Sequence, residues 1–205
     1  LNVNAWKLLV PLTLAVAGCQ LCSLGDAKPT RPPATSSGAA PSRPGVIPVS
    51  RSNASIEFTG STSLMSQTGH FEAFDGTVEV PTDDPKDMKA RVTVDMDSTT
   101  TKIGLLTKHL KGEDFFDVAR FPKAEFLVDG VSPSGEAGRY QVSGKLTIHG
   151  VQQSIAFPAR IAITPEEVSF DATMTISQTG FGMTEAAKKT KDEVPVRVSI
   201  HGRRK

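Results

Sequence analysis

Few side chains in this sequence are equipped for chemistry, and their spacing gathers none of them. The four histidines, His70, His109, His149 and His201, titrate nearest neutrality, yet no two are spaced as metal ligands on one helix or hairpin are. His149 and His201 fall on the polar phase of alternating segments, which reads as solvated surface. Asp114 and Asp117 flank Phe115-Phe116. They read either as a carboxylate pair or as capping groups of a turn whose rings cover one end of the fold. There is no nucleophile elbow, no His-Glu-x-x-His and no phosphate loop. The only cysteines, Cys19 and Cys22, lie upstream of the patterned region, which therefore holds neither disulfide nor thiol nucleophile. No enzyme, metal or cofactor is expected.

The chemistry that remains is that of apolar surface. Over 88–97 every even position is apolar and every odd one polar, the signature of a strand buried on one face. The same alternation recurs at Ile56 and Phe58, from Phe71 through Val78 and Val80, and at Ala124, Phe126 and Val128. It returns over 140–148, 155–163, 168–176 and 194–200, giving eight or nine strands. Breakers at 81–85, 132–135, 149–150 and 165–166 make the connections short, and short connections require antiparallel neighbours. One short helix is expected over 102–110, where Ile103, Leu106 and Leu110 share a stripe, as a lid on one edge or end.

Strands of this number and pattern suit a two-sheet sandwich or a closed barrel of about eight strands, which can hold one slender ligand. Ala90, Gly144, Ala159 and Ala172 fall on the inward phase. They either leave room inside or let larger neighbours interdigitate. The apolar phase nominates Phe58, Phe71, Val94, Met96, Phe126, Tyr140, Leu146, Phe157, Phe170, Met174 and Phe181 as the wall of such an interior.

The first fifty residues differ in kind. Lys7 precedes an apolar run over 8–18 that is too short to cross a bilayer and ends in small residues, as a secretory signal does. Val16-Ala17-Gly18-Cys19 resembles a bacterial lipobox, which makes Cys19 the candidate lipidation site and 1–18 the signal peptide. Residues 19–50 are rich in Pro, Ser and Ala and read as a disordered tether, about 30 Å end to end if coiled. Residues 51–205 then form the domain. Periplasmic residence follows, anchored to the envelope, and Gln20 is compatible with the outer membrane. With 23 basic and 22 acidic residues spread along the chain, net charge is +1 and no footprint for nucleic acid exists. Association of two barrels into a homodimer stays open.

Three segments, His109-Leu110-Lys111-Gly112-Glu113-Asp114-Phe115-Phe116-Asp117, Phe121-Pro122-Lys123-Ala124-Glu125-Phe126 and Gly144-Lys145-Leu146-Thr147-Ile148-His149-Gly150-Val151, closely resemble the YceI-like family of bacterial envelope proteins. Residues 69–76 and 92–98 look like its early strands. The resemblance implies a lipocalin-like antiparallel barrel whose apolar tube holds an isoprenoid or similar lipid without catalysis. Where many members read an Arg, this chain has Gln178, the candidate for the head group. Gln cannot neutralise a pyrophosphate, so a less charged ligand is implied. The alternatives are a structural or stress-related envelope domain with a filled core, and an enzyme acting on a lipid.

Overall fold

A computed structural model describes residues 45–204. The signal peptide read over 1–18, the lipidation site read at Cys19 and most of the tether lie outside the described residues. The described residues form eleven strand segments: β1 (Gly45–Val49), β2 (Ala54–Ser61), β3 (Ser66–Phe71), β4 (Phe74–Val80), β5 (Lys89–Asp95), β6 (Thr99–Thr101), β7 (Lys123–Pro133), β8 (Arg139–Ile148), β9 (Val151–Ile163), β10 (Glu167–Ser177) and β11 (Glu193–Arg203). Helix α1 (Gly104–Leu110) falls within the expected range, and α2 (Thr184–Lys189) follows β10. Among the described residues no helix is long and apolar enough to cross a membrane.

All pairings are antiparallel, in the order β1-β4-β5-β7-β8-β9-β10-β11-β2-β3-β6. Eleven segments amount to eight strands, because three are bent rather than ended. β3 and β4 are one strand kinked at Glu72-Ala73, where Glu72 N donates to Ser98 O (3.2 Å) and Asp95 N to Ala73 O (3.0 Å). Those two bonds carry the ladder across from β4–β5 to β3–β6. The single turn Met96–Ser98 likewise joins β5 to β6. With β1 bent into β2 as the third, the ring β1/β2, β3/β4, β5/β6, β7, β8, β9, β10, β11 then returns to β2, which leaves a barrel.

β1 corrects the expected boundary at residue 51. Gly45–Val49, read as the end of the tether, is a strand paired with β4, with Ile47 and Val49 buried and Val46 and Pro48 outward. Three Pro-flanked apolar residues were masked by the surrounding composition. Asn53 braces the bend into β2: its Oδ1 accepts from Ser50 N (2.9 Å) and its Nδ2 donates to Pro48 O (2.9 Å). A feature the alternation did not carry lies in β7, where the register shifts between Val128 and Gly130. The extra residue flips the inward phase from Ala124, Phe126 and Val128 to Val131, which is buried and opposite Val142.

The barrel is closed at one end and hollow at the other. Val80, Val131, Val142, Ile161 and Val168 are each at most 8% exposed and fill the closed end. Ala159 and Ala172 sit directly opposite each other there, small because the barrel is narrow. Gly144 is small for another reason. A Cβ there would lie 2.4 Å from Leu127 O and 2.7 Å from the Phe126 ring, so the ring occupies that space. Of the four small residues, only Ala90 leaves room within the interior.

Candidate functional site

Above that packed end lies a cavity of about 910 Å³, near the top of the roughly 300–1,000 Å³ range of small-molecule sites. Every strand around the barrel contributes to its wall. Met88, Ala90, Val92, Val94 and Met96, the residues of the first alternating run, all line it. Several inward residues, including Val92, Val94, Phe126, Met174 and Val196, are only half-buried although they point to the interior. A filled core would bury them; an empty tube does not. The interior is therefore hollow, and the filled-core alternative does not describe this barrel.

Nine of the eleven nominated wall residues line the cavity: Phe58, Phe71, Val94, Met96, Phe126, Leu146, Phe157, Phe170 and Met174. Tyr140 and Phe181 do not. Tyr140 has the inward phase of β8, but it pairs with Ala159 beyond the cavity floor, where periodicity cannot tell depth. Phe181 is 1% exposed in the turn after β10, and the adjacent Gly182 abuts Val151 and His149 at the β8–β9 turn. It seals the barrel beside the cavity. Phe116, read as covering one end, and Leu106, read on the lid helix, also line it, while Met65 and Met183 carried no expectation. Phe116 stacks edge-on against Phe58 at 5.7 Å and lies 6.2 Å from Phe71, while Phe58 and Phe71 are 5.3 Å apart. This aromatic trio forms one wall.

The opening is framed by α1, by the turn between β2 and β3, and by the loop preceding β11. Met65, Ile103, Leu105, Lys108, His109 and Thr190 line it there. Asp114 follows α1 and is ion-paired with Lys189 of α2, which holds its carboxyl below the usual range. Asp117 is instead buried and accepts from Arg120 Nη1 at 3.3 Å. With separate partners, the two aspartates do not form a carboxylate pair. The histidines are equally dispersed. His70 contacts Glu72, His109 lies edge-on to Phe115, and exposed His201 lies near Ser199 and Asp171. Among the described residues, no three His, Cys, Asp or Glu side chains are grouped to hold a metal.

His149 departs from the solvated surface expected of it. It occupies the tight β8–β9 turn with φ 52°, beside Gly150 at φ 75°, and its ring is 4.1 Å from that of Phe121. Burial pushes its pKa below the ordinary 6.5, the Asp117 carboxylate opposes that shift, and Arg120 adds to it. The folded side chain thus takes up a proton less readily than the unfolded one. Stability from this source is full above pH 6.5 and is lost as pH falls below that value toward the folded pKa. Denaturation midpoints measured between pH 7.5 and 5 are expected to fall, and His149→Asn, which tolerates positive φ, is expected to flatten that fall. An unchanged slope in the variant contradicts this assignment.

Among the described residues, Gln178 is the one polar side chain more than nine-tenths buried that lines the cavity. Its Nε2 donates to Lys191 O (2.7 Å) and to Thr190 Oγ1 (2.9 Å). Both partners fix the amide's orientation: a carbonyl can only accept, and the Thr190 hydroxyl proton is engaged with Ala186 O at 3.0 Å. The NH₂ group is thereby occupied. What Gln178 has left for a ligand is Oε1, an acceptor.

A closed antiparallel barrel with a deep apolar tube places the protein in the lipocalin-like structural class. The YceI-like domain family matches residues 48–202, and the chain belongs to that family. Protein YceI of Salmonella arizonae and that of Salmonella paratyphi B are each 28% identical over 140 residues, covering 65% of this chain and 72% of theirs. Among solved structures, BcnA of Burkholderia cenocepacia shares the fold at TM-score 0.65 and 24% identity, over 73% of this chain and 96% of that one. So does a polyisoprenoid binding domain from Saccharophagus degradans implicated in plant cell wall breakdown, at TM-score 0.64 and 15% identity, over 80% and 100%.

Proposed function

We propose that this protein binds a long isoprenoid chain, or a lipid of similar shape, without catalysis, tail down the tube and head at the mouth. The hollow apolar cavity carries this reading. A methylene occupies about the same volume as a water molecule, roughly 30 Å³, so the space takes a chain of about thirty carbons. Each methylene transferred from water contributes about 0.8 kcal/mol. Fifteen of them already yield about 12 kcal/mol before the ordering costs of association. The polyisoprenoid-binding neighbour supports the same class of ligand.

Gln178 refines the head group. An acceptor inside the mouth favours a hydroxyl or phenol that donates, and it disfavours a diphosphate, which brings only acceptors and charge. The favoured ligand is thus a prenol or a prenylated phenol. The protein would carry or store it in the periplasm, anchored through Cys19 to the outer membrane. The bound lipid is the only small molecule this function calls for. Extraction of the purified protein into organic solvent, followed by mass spectrometry, is expected to recover a prenyl lipid. Stripped protein is expected to take up an added prenol. Recovery of no lipid, together with no uptake, overturns the reading.

A further inference from the structure

Six large apolar side chains are exposed on the described surface, and four of them surround the cavity mouth: Leu64 (90% exposed), Leu105 (80%), Met65 (60%) and Ile103 (46%). They come from two separate elements. The β2–β3 turn supplies Leu64 and Met65, and the start of α1 supplies Ile103 and Leu105. β3 pairs with β6, Gly69 opposite Thr101, so the chain leaving β6 runs alongside the strand that leads back to Leu64 and Met65.

Neither tip is loose. Thr62 Oγ1 accepts from Leu64 N and Met65 N, both at 3.2 Å, and Thr62 N donates to Met65 O at 2.8 Å. Across the mouth, Thr101 Oγ1 accepts from Ile103 N at 3.2 Å, and Thr107 Oγ1 accepts from Thr101 N at 2.9 Å. The fold holds these side chains in water at a hydrophobic cost.

Beside the two tips the side chains that form no ion pair among the described residues lean basic, three lysines to two carboxylates. Lys111, Lys188 and Lys189 are paired with Asp97, Glu185 and Asp114. Exposed Lys102, Lys108 and Lys191 form no ion pair among the described residues, and Lys191 N donates to Ser61 O at 2.7 Å beside the β2–β3 turn. Against them stand Glu113 and Asp192, whose carboxylate accepts from Ser177 Oγ and Thr179 N and is held below the usual range by those bonds.

We infer that the mouth docks on a bilayer surface containing anionic lipid, with the two apolar tips inserted among the acyl chains and the lysines at the phosphates. An apolar rim with exposed lysines beside it suits that interface. It also places the tube entrance against the phase in which a water-insoluble chain resides. This inference rests on the proposed lipid binding for its purpose, but not for its test.

The test uses the full chain. The one tryptophan of the sequence, Trp6, lies in the segment read as signal peptide, so with Trp6→Phe wherever that segment is retained, Leu64→Trp alone reports the rim. Leu127→Trp, on the outer wall of β7, is the control. With vesicles of brominated phosphatidylcholine and phosphatidylglycerol at 3:1, the Leu64→Trp emission is expected to be quenched severalfold more than that of Leu127→Trp. Adding Lys102→Glu is expected to weaken vesicle binding about tenfold at low salt. Equal quenching at both positions, or none at the rim, overturns the inference. So does a rim blue shift that grows with protein concentration without vesicles, which marks a second copy as the occupant. Leu64 and Lys102 do not line the cavity, so prenol uptake from cyclodextrin without vesicles is expected to be unchanged in these variants. Failure of that uptake in the native chain indicts the lipid-binding function, whereas failure of quenching indicts only the docking.

Discussion

Val92→Trp is expected to abolish binding of long chains while leaving the barrel folded. Val92 lines the tube part-way along β5, between Ala90 and Val94, and only half of it is buried because it faces empty space. An indole placed there enters the void instead of a packed neighbour, so overpacking does not arise. Burial of its surface leaves thermal stability unchanged or raised. The chain loses whatever length lies below it. Displacing five methylenes costs about 4 kcal/mol, or about 10³-fold in affinity. A short prenol that ends above the indole should keep its affinity, and comparing the two lengths in the same variant separates plugging from general damage. Equal loss for both lengths contradicts the tube geometry.

Gln178→Arg is expected to reverse head-group preference. The native amide engages its donors on Thr190 and Lys191, leaving an acceptor toward the ligand. Arginine has donors enough to keep both partners and still present a cation, and it has no acceptor at all. Prenyl diphosphate should then gain a charge-assisted contact of about 1.5–3 kcal/mol, roughly tenfold to a hundredfold, while the matching prenol weakens. Competition between an alcohol and a diphosphate sharing one tail isolates the head from the chain. If the native protein already prefers the diphosphate, the acceptor role of Gln178 is wrong.

Much of the architecture was legible because alternation is a strong signal wherever one face is wet and the other apolar. The run over 88–97 declared its inward residues, and all five line the cavity. What periodicity could not supply was position along the axis. Tyr140 and Leu146 share a phase in β8, yet only Leu146 reaches the hollow part. Strand ends at bends were equally invisible, since the kink at Glu72-Ala73 is set by hydrogen bonds to Asp95 and Ser98, which are distant in sequence. Helix α2 has six residues and too little apolar stripe to stand out. Leu64-Met65, by contrast, did carry a signal. Two large apolar residues in a turn otherwise made of Ser and Thr are anomalous, and their meaning emerges only when the turn is seen beside α1 at the mouth.

The identity of Gln178 was plain in the sequence, but its chemistry was not. A buried amide can donate or accept, and the choice here depends on Thr190, whose own proton is held by a carbonyl one helical turn back in α2. No local pattern encodes a network of that kind. For the same reason, Asp114 and Asp117 could not be separated by inspection, although the fold turns one to Lys189 and the other to Arg120.

A titration of stripped protein with prenols of increasing length probes the hollow tube most directly. Affinity is predicted to rise with each isoprene unit and then level off near thirty carbons, when the tube is full. Affinity that ignores length, or that keeps climbing far past that point, would show that the chain lies elsewhere than inside the barrel.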